Sequence, residues 1–575
     1  MSALSPDSPN RPCPEVSPAS RSIGARAGAA DDGPTDRQVF SILLLLYWVL
    51  LYPILRADRY YNDDLKRSLM GRTGWDSNGR PLTTFVMKLL QCYDHALVDI
   101  SPLTQIAAIG VLAYGGVLIT RRHAIRSPVV AALIAFPLGA QPFFLENLSY
   151  KFDSLSMAMA LLLALLPVIG GGRNRGGWWP GVLSLFASMA LYQPAINAFL
   201  VFILLELLVS QLEDHPPRQL MRRAGSRVAQ LAAAAITYQV LVGSHIHGWV
   251  AQNSELVKDP RRVGVVGHNV VQFVSYIAAS LSAQWWRYCT PLLAMLAVAA
   301  IAIGVRYAAR QWRSGNMRCG TVFFAFSAVL PALAIGCIAG PMLLLVRPLI
   351  MARVLVGVGP LLVAGLLSMR SWLVSTGRSE RWSLAIALPL ATGMCVIGSA
   401  YGNAMAAQKQ YEDGVASLFV QKMQELRVEH PVESFLVDGT AGLAPATQHV
   451  ATQFPLVRRL VLPYIDGNDN FLTRNFLRTY APMLVRSNNV YPDSRIGIVL
   501  LDQTCWNEPA YANDQFDVFL VGTTAVLAFR DAHQRRCSEI SVPPDALDHP
   551  RPNASSGDGS PKQPEHHVMI AAVLN

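Results

Sequence analysis

The chain has 575 residues, 52% of them hydrophobic and 15% charged, far below the roughly 25% charged share of soluble domains. Its net charge of +10 is uneven: residues 402–575 hold 14 Lys and Arg against 19 Asp and Glu, a net of −5, which leaves +15 on the first 401. This composition excludes a soluble enzyme, and the basic excess sits in short loops between apolar runs, so it signals membrane topology and excludes nucleic acid as a partner.

Residues 1–37 are rich in Pro, Ser, Ala and Gly and read as a disordered cytoplasmic tail. No short apolar stretch with a small-residue cleavage site precedes the first long apolar run, so a cleavable signal peptide is not expected. Runs of roughly 20 apolar residues, enough to cross about 30 Å of hydrocarbon, then recur. The expectation is a polytopic α-helical membrane protein with eleven spans near 38–56, 101–120, 127–145, 153–171, 179–192, 195–211, 228–245, 288–305, 320–341, 354–370 and 383–401. The hairpin 179–211 reads either as two short helices or as one tilted one, and Tyr192-Gln193-Pro194 favours a turn because proline lacks the donor a continuing helix needs. Arginines cluster after every second span: Arg121, Arg122 and Arg126, then Arg173 and Arg175, Arg218 to Arg227, Arg306 to Arg318, and Arg370 to Arg381. The positive-inside rule then puts the N-terminus in the cytoplasm and, with an odd span count, the C-terminal region outside.

Two outer stretches carry apolar residues at helical spacing without the length to span, 81–98 and 270–283, and read as helices lying in the membrane interface. After Tyr401 the pattern changes. Apolar runs at 434–437, 459–462, 496–501 and 516–521 read as strands of a small external α/β domain over 402–540, and 541–575 reads as a second disordered tail. Of the eight cysteines, Cys505 and Cys537 fall in this outer region, where oxidation is open to them, though spacing does not decide whether they pair.

The chemistry gathers at the mouth of the first span, in Asp58-Arg59-Tyr60-Tyr61-Asn62-Asp63-Asp64. Adjacent carboxylates beside lipid are costly and serve most often to handle protons or sugars, although a solvated loop explains them equally. No Gly-rich phosphate-cradling loop occurs, and the cytoplasmic loops are too short for a nucleotide fold. A transferase of this design would take a lipid-linked donor.

Four segments in order resemble the serotype-converting O-antigen glucosyltransferases of bacteria, the type II Gtr family of GT-C class. They are Ala57-Asp58 with Tyr61-Asn62-Asp63-Asp64, Gly71, Trp75 and Gly79-Arg80-Pro81-Leu82; Asp99-Ile100-Ser101-Pro102-Leu103-Thr104-Gln105; Glu146 through Ser154; and Leu191-Tyr192-Gln193-Pro194-Ala195-Ile196-Asn197. The resemblance covers roughly 40–400 and, more weakly, the external C-terminal domain. It implies a GT-C-like fold and transfer of a glucosyl unit from undecaprenyl phosphate to a growing lipopolysaccharide O-chain, on the periplasmic side of a bacterial inner membrane. A companion flippase and a donor synthase are the partners this implies, beside the bilayer itself. The competing readings are a glycolipid flippase or transporter and a polysaccharide assembly protein.

On this footing Asp63 or Asp64 is the expected base that takes the proton of the acceptor hydroxyl, with Asp58 a third choice. Like-charge proximity should raise one pKa of the doublet and leave a single base beside a neighbour that orients it or binds the sugar. The departing phosphate needs a cationic partner. Arg347 and Arg353, flanking Pro348 between two spans, suit it; snorkelling to head groups is the plainer role. Asp153 binds a sugar hydroxyl or holds Lys151 near the phosphate, against simple helix capping. Arg80 and Trp75 are expected to line the acceptor groove, with Trp75 offering a stacking face or serving as an interfacial aromatic. Tyr192 and Gln193, at an outward turn, complete the sugar-side candidates, with a structural role favoured for both. His245 and His247 lack a third ligand and read as loop residues. No cofactor is required, and a divalent metal is compatible with the acids but not called for.

Overall fold

The computed structural model describes residues 36–92, 95–169, 177–246, 255–259, 263–480 and 488–540. The two terminal tails beyond Asp36 and Ile540, Arg173, Arg175 and His247 lie outside the described residues. The described chain forms two compact units, one of residues up to 421 together with 440–486, the other of 422–439 together with residues from 487 onward.

The first unit is helical. In α1 (Asp36–Ala57), Val39, Leu43, Tyr47, Leu50 and Ile54 form an inward stripe at spacings of three and four. Leu45, Trp48, Val49 and Tyr52 stay exposed, as suits a helix with lipid on its other side. The helix Leu384–Glu429 packs on α1 through two small residues four apart: a Cβ added at Gly398 would lie 2.5 Å from the Leu50 side chain and one at Gly402 2.5 Å from Pro53.

Seven described helices are long and apolar enough to cross a membrane, and eight if Pro128–Ala140 and Pro142–Ser149, bent by 52° at their join, count as one span. The expected count of eleven is therefore not reached. Ser154–Ile169 and Trp178–Leu191 are apolar but shorter, and Pro217–Leu241 carries four arginines in its first half. The chain does turn at Tyr192: a helix ends at Leu191, a 3-10 turn covers Gln193–Ala195, and a new helix starts at Ile196.

α2 (Asp63–Met70) and α3 (Pro81–Gln91) follow α1. α3 is shorter than the expected 81–98 because Cys92 turns left-handed. It packs Thr83, Thr84 and Met87 inward and leaves Phe85, Leu89 and Leu90 exposed.

The second unit is built on a five-stranded sheet ordered β2-β1-β5-β4-β3, with β1 (Ser434–Asp438), β2 (Asn488–Asn489), β3 (Tyr511–Ala512), β4 (Phe516–Val521) and β5 (Thr524–Phe529). β1 runs parallel to β2 and β5, whereas β4 pairs antiparallel with β5 and β3. Two expected strands are helices. Residues 496–501 lie in Arg495–Thr504, whose start is capped by the Ser494 hydroxyl accepting from the Gly497 N–H at 3.0 Å. Residues 459–460, which belong to the first unit, end the helix Pro455–Leu460, which opens on proline and buries Leu456, Val457 and Leu460 while Arg458 stays out. A short apolar run does not distinguish a strand from a buried helical turn. Cys505 and Cys537 are joined in a disulfide.

Candidate functional site

The polar residues singled out in the sequence converge at one end of the helical unit. α1 stops at Ala57, and Asp58 and Asn62, with φ of 43° and 48°, turn the chain sharply into α2. The doublet is thereby split. The Asp63 side chain is 41% exposed, whereas that of Asp64 is fully buried. Arg67, one turn further along α2, reaches both, at 3.8 Å from Asp63 and 3.7 Å from Asp64. An Asp64 carboxylate oxygen accepts the Lys151 backbone N–H at 2.7 Å. Burial holds the Asp64 carboxyl well above the usual range, against the pull of Arg67 and with a further push from Asp153.

Asp153 is the second buried acid. The Trp75 indole N–H donates to it at 2.7 Å, and Arg80 and Arg67 lie at 3.4 and 3.6 Å. Lys151 is not among its partners. That ammonium instead pairs with the exposed Asp58 and, at 3.4 Å, with Asp99, and lies 4.3 Å from the centre of the Tyr60 ring. The Lys151 charge is thus met by two acids. Trp75 offers a sugar no stacking face. It is wholly buried with Met87, Leu97 and Phe152, and the Arg67 guanidinium covers its ring at 4.5 Å. The indole is large and its N–H needs a partner, which Asp153 supplies inside the fold.

Gly79 is needed in the loop before α3. It sits at φ +72°, where a Cβ would meet the Tyr238 hydroxyl at 2.4 Å. The Gly79 carbonyl accepts from Tyr238 at 2.9 Å and from Gln193 at 3.2 Å. Gln193 is therefore a brace for this loop. The next residue, Arg80, lies 4.7 Å over the Tyr192 ring, and the buried Tyr192 hydroxyl donates to the Arg353 carbonyl at 2.8 Å. The acids and Arg353 so belong to one contiguous array. Arg353 is anchored by Glu146, which accepts its backbone N–H at 2.8 Å, and its guanidinium donates to the Tyr150 hydroxyl. Arg347 is exposed and has no acidic partner among the described residues.

Residues 52–364, more than half the chain, match the glucosyl transferase GtrII family. The chain belongs to this GtrII family. An uncharacterized 55.3 kDa protein in the gtrB 5' region of Salmonella phage P22 is 24% identical over 500 residues, which cover 86% of this chain and 99% of that protein. No solved structure matches. As a GtrII glucosyl transferase with helices fit to cross a membrane, the protein is a membrane glycosyltransferase, and the resemblance to the serotype-converting enzymes holds.

Within this GtrII chain the structure adds residues that sequence reasoning passed over. Arg67 was legible, since it follows Asp63 and Asp64 at helical spacing. Glu146 stands in a motif segment but gains its role only by folding against Arg353. Arg59, buried and paired with Glu412 at 2.7 Å, gives no local signal, because its partner lies 353 residues away.

Proposed function

We propose that this GtrII protein moves a hexosyl unit, glucose by family, from a polyprenyl-phosphate carrier to a lipopolysaccharide O-antigen on the periplasmic face of a bacterial inner membrane. The observation that carries the reading is the split doublet: one exposed carboxylate, Asp63, beside a buried Asp64 whose carboxyl is held above its usual range by burial, in the same array as Arg353.

In this reading Asp63 takes the proton of the acceptor hydroxyl as its oxygen bonds to C1 of the sugar. The C1–phosphate oxygen bond breaks, and the polyprenyl phosphate leaves as an anion toward Arg353 and Arg347. Asp64 and Asp153 work behind this surface. Through Arg67, Trp75 and Arg80 they set the shape of the loop between α1 and α3. Lys151 orients Asp58 and Asp99. The disulfide supports an oxidising location for the sheet unit, and the basic loops support a cytoplasmic N-terminus.

The test compares lipopolysaccharide from cells with and without the protein by mass spectrometry and linkage analysis. A hexosyl substituent present with the wild type and absent with Asp63→Asn is expected; an identical glycan in both would overturn the reading. A flippase would still move the carrier lipid in the Asp63→Asn variant, whereas a transferase would only lose product.

A further inference from the structure

Residues 58–62 carry the chain from α1 to the acid doublet, and two non-glycine residues in the left-handed region, Asp58 and Asn62, bound them. Such backbone persists only where the surroundings over-determine it. Here the surroundings are residues 460–464, about 400 positions further on, and they hold each intervening residue in turn. Arg59 donates to the Leu462 carbonyl at 2.7 Å, and its guanidinium stacks 3.7 Å over the Tyr464 ring. The Tyr464 hydroxyl donates to the Tyr60 carbonyl at 2.6 Å and accepts the Asn62 N–H at 3.3 Å. The Tyr61 hydroxyl donates to the Leu460 carbonyl at 3.0 Å. Glu412 closes the clasp by accepting from both Arg59 and the Tyr464 backbone N–H. Arg59, Tyr61, Glu412 and Tyr464 are all buried. None of residues 412 and 460–464 lies within the 52–364 family match.

We infer that Tyr464, backed by the Arg59–Glu412 pair, is a positioning residue of the transfer reaction: it fixes the backbone of 59–62 and so aims Asp63, the first residue of α2. The inference rests on the reading of Asp63 as the base. It extends the working centre of this chain to a segment well outside the family match.

Tyr464→Phe keeps the ring under Arg59 and removes the hydroxyl that meets Tyr60 and Asn62. Tyr480→Phe is the control, since the Tyr480 hydroxyl donates to Asp413 and makes no hydrogen bond to residues 58–64. Full-length proteins in detergent are compared by hydrogen exchange of the 59–65 amides and by transfer from polyprenyl-phosphate glucose to O-antigen. Tyr464→Phe is expected to lose exchange protection at 59–65 alone and to lower kcat about 10- to 100-fold, the scale of a misplaced reacting group, with donor KM unchanged. Tyr480→Phe should match the wild type in both. If Tyr464→Phe keeps wild-type protection at these amides, or loses it while an active wild type and the variant share one kcat, the inference is overturned. An inactive wild type would instead tell against the donor and acceptor reading, and the exchange data alone would then decide whether the clasp sets the loop.

Discussion

Replacing Asp63 by Asn separates chemistry from stability at the doublet. The Asp63 side chain is partly exposed, and its ion pair with Arg67 spans 3.8 Å across one turn of α2. A pair of that kind contributes about 0.3–0.5 kcal/mol, so the melting temperature of the detergent-solubilised protein should barely move. Turnover should fall steeply, because removing a general base costs about 10²–10⁴-fold, equal to about 3–5 kcal/mol of barrier at roughly 1.4 kcal/mol per decade. The assay is transfer of radiolabelled hexose from polyprenyl phosphate to purified O-antigen, normalised to folded protein. Asp64→Asn is the partner variant: its target is buried and bonded to the Lys151 N–H, so it should act on the fold rather than only on the chemical step. An Asp63→Asn protein that keeps more than about a tenth of wild-type turnover would refute the assignment of the base.

Breaking the buried Arg59–Glu412 pair with Glu412→Gln leaves an unmatched guanidinium and should destabilise the helical unit by about 3–5 kcal/mol; thermal melting in detergent measures it, and a shift within error would contradict the burial. Asp64 keeps its proton in the folded state beyond the pH at which an unfolded aspartate loses it. Its contribution to stability is therefore full below about pH 4 and is lost as pH rises through its folded value. Asp64→Asn should flatten the fall of melting temperature over that interval, and an unaltered slope would show that other groups cause it. Cys505 and Cys537 are bridged across a sequence separation of 32, so Cys505→Ser should weaken the sheet unit by about 3–4 kcal/mol in the chain-entropy account. Limited proteolysis should then cut within 495–539 sooner than in the wild type, and an identical digestion pattern would count against that contribution.

Features that local physics controls were legible in the chain before folding was considered. Apolar runs marked the helices, proline and Tyr192-Gln193 marked a turn that the structure contains, and the acids and arginines stood out because charge is costly beside lipid. Family motifs marked the membrane part as a glucosyl transferase. Tertiary structure decided what each polar group does. It turned Asp63 outward and Asp64 inward, hid Trp75 behind Arg67, gave Lys151 to Asp58 and Asp99, and brought Tyr464 and Glu412 under the acid loop. The physical reason is distance along the chain. Burial and pairing depend on partners up to some 400 residues away, and no periodicity or spacing near an aspartate records which remote side chain will fold against it.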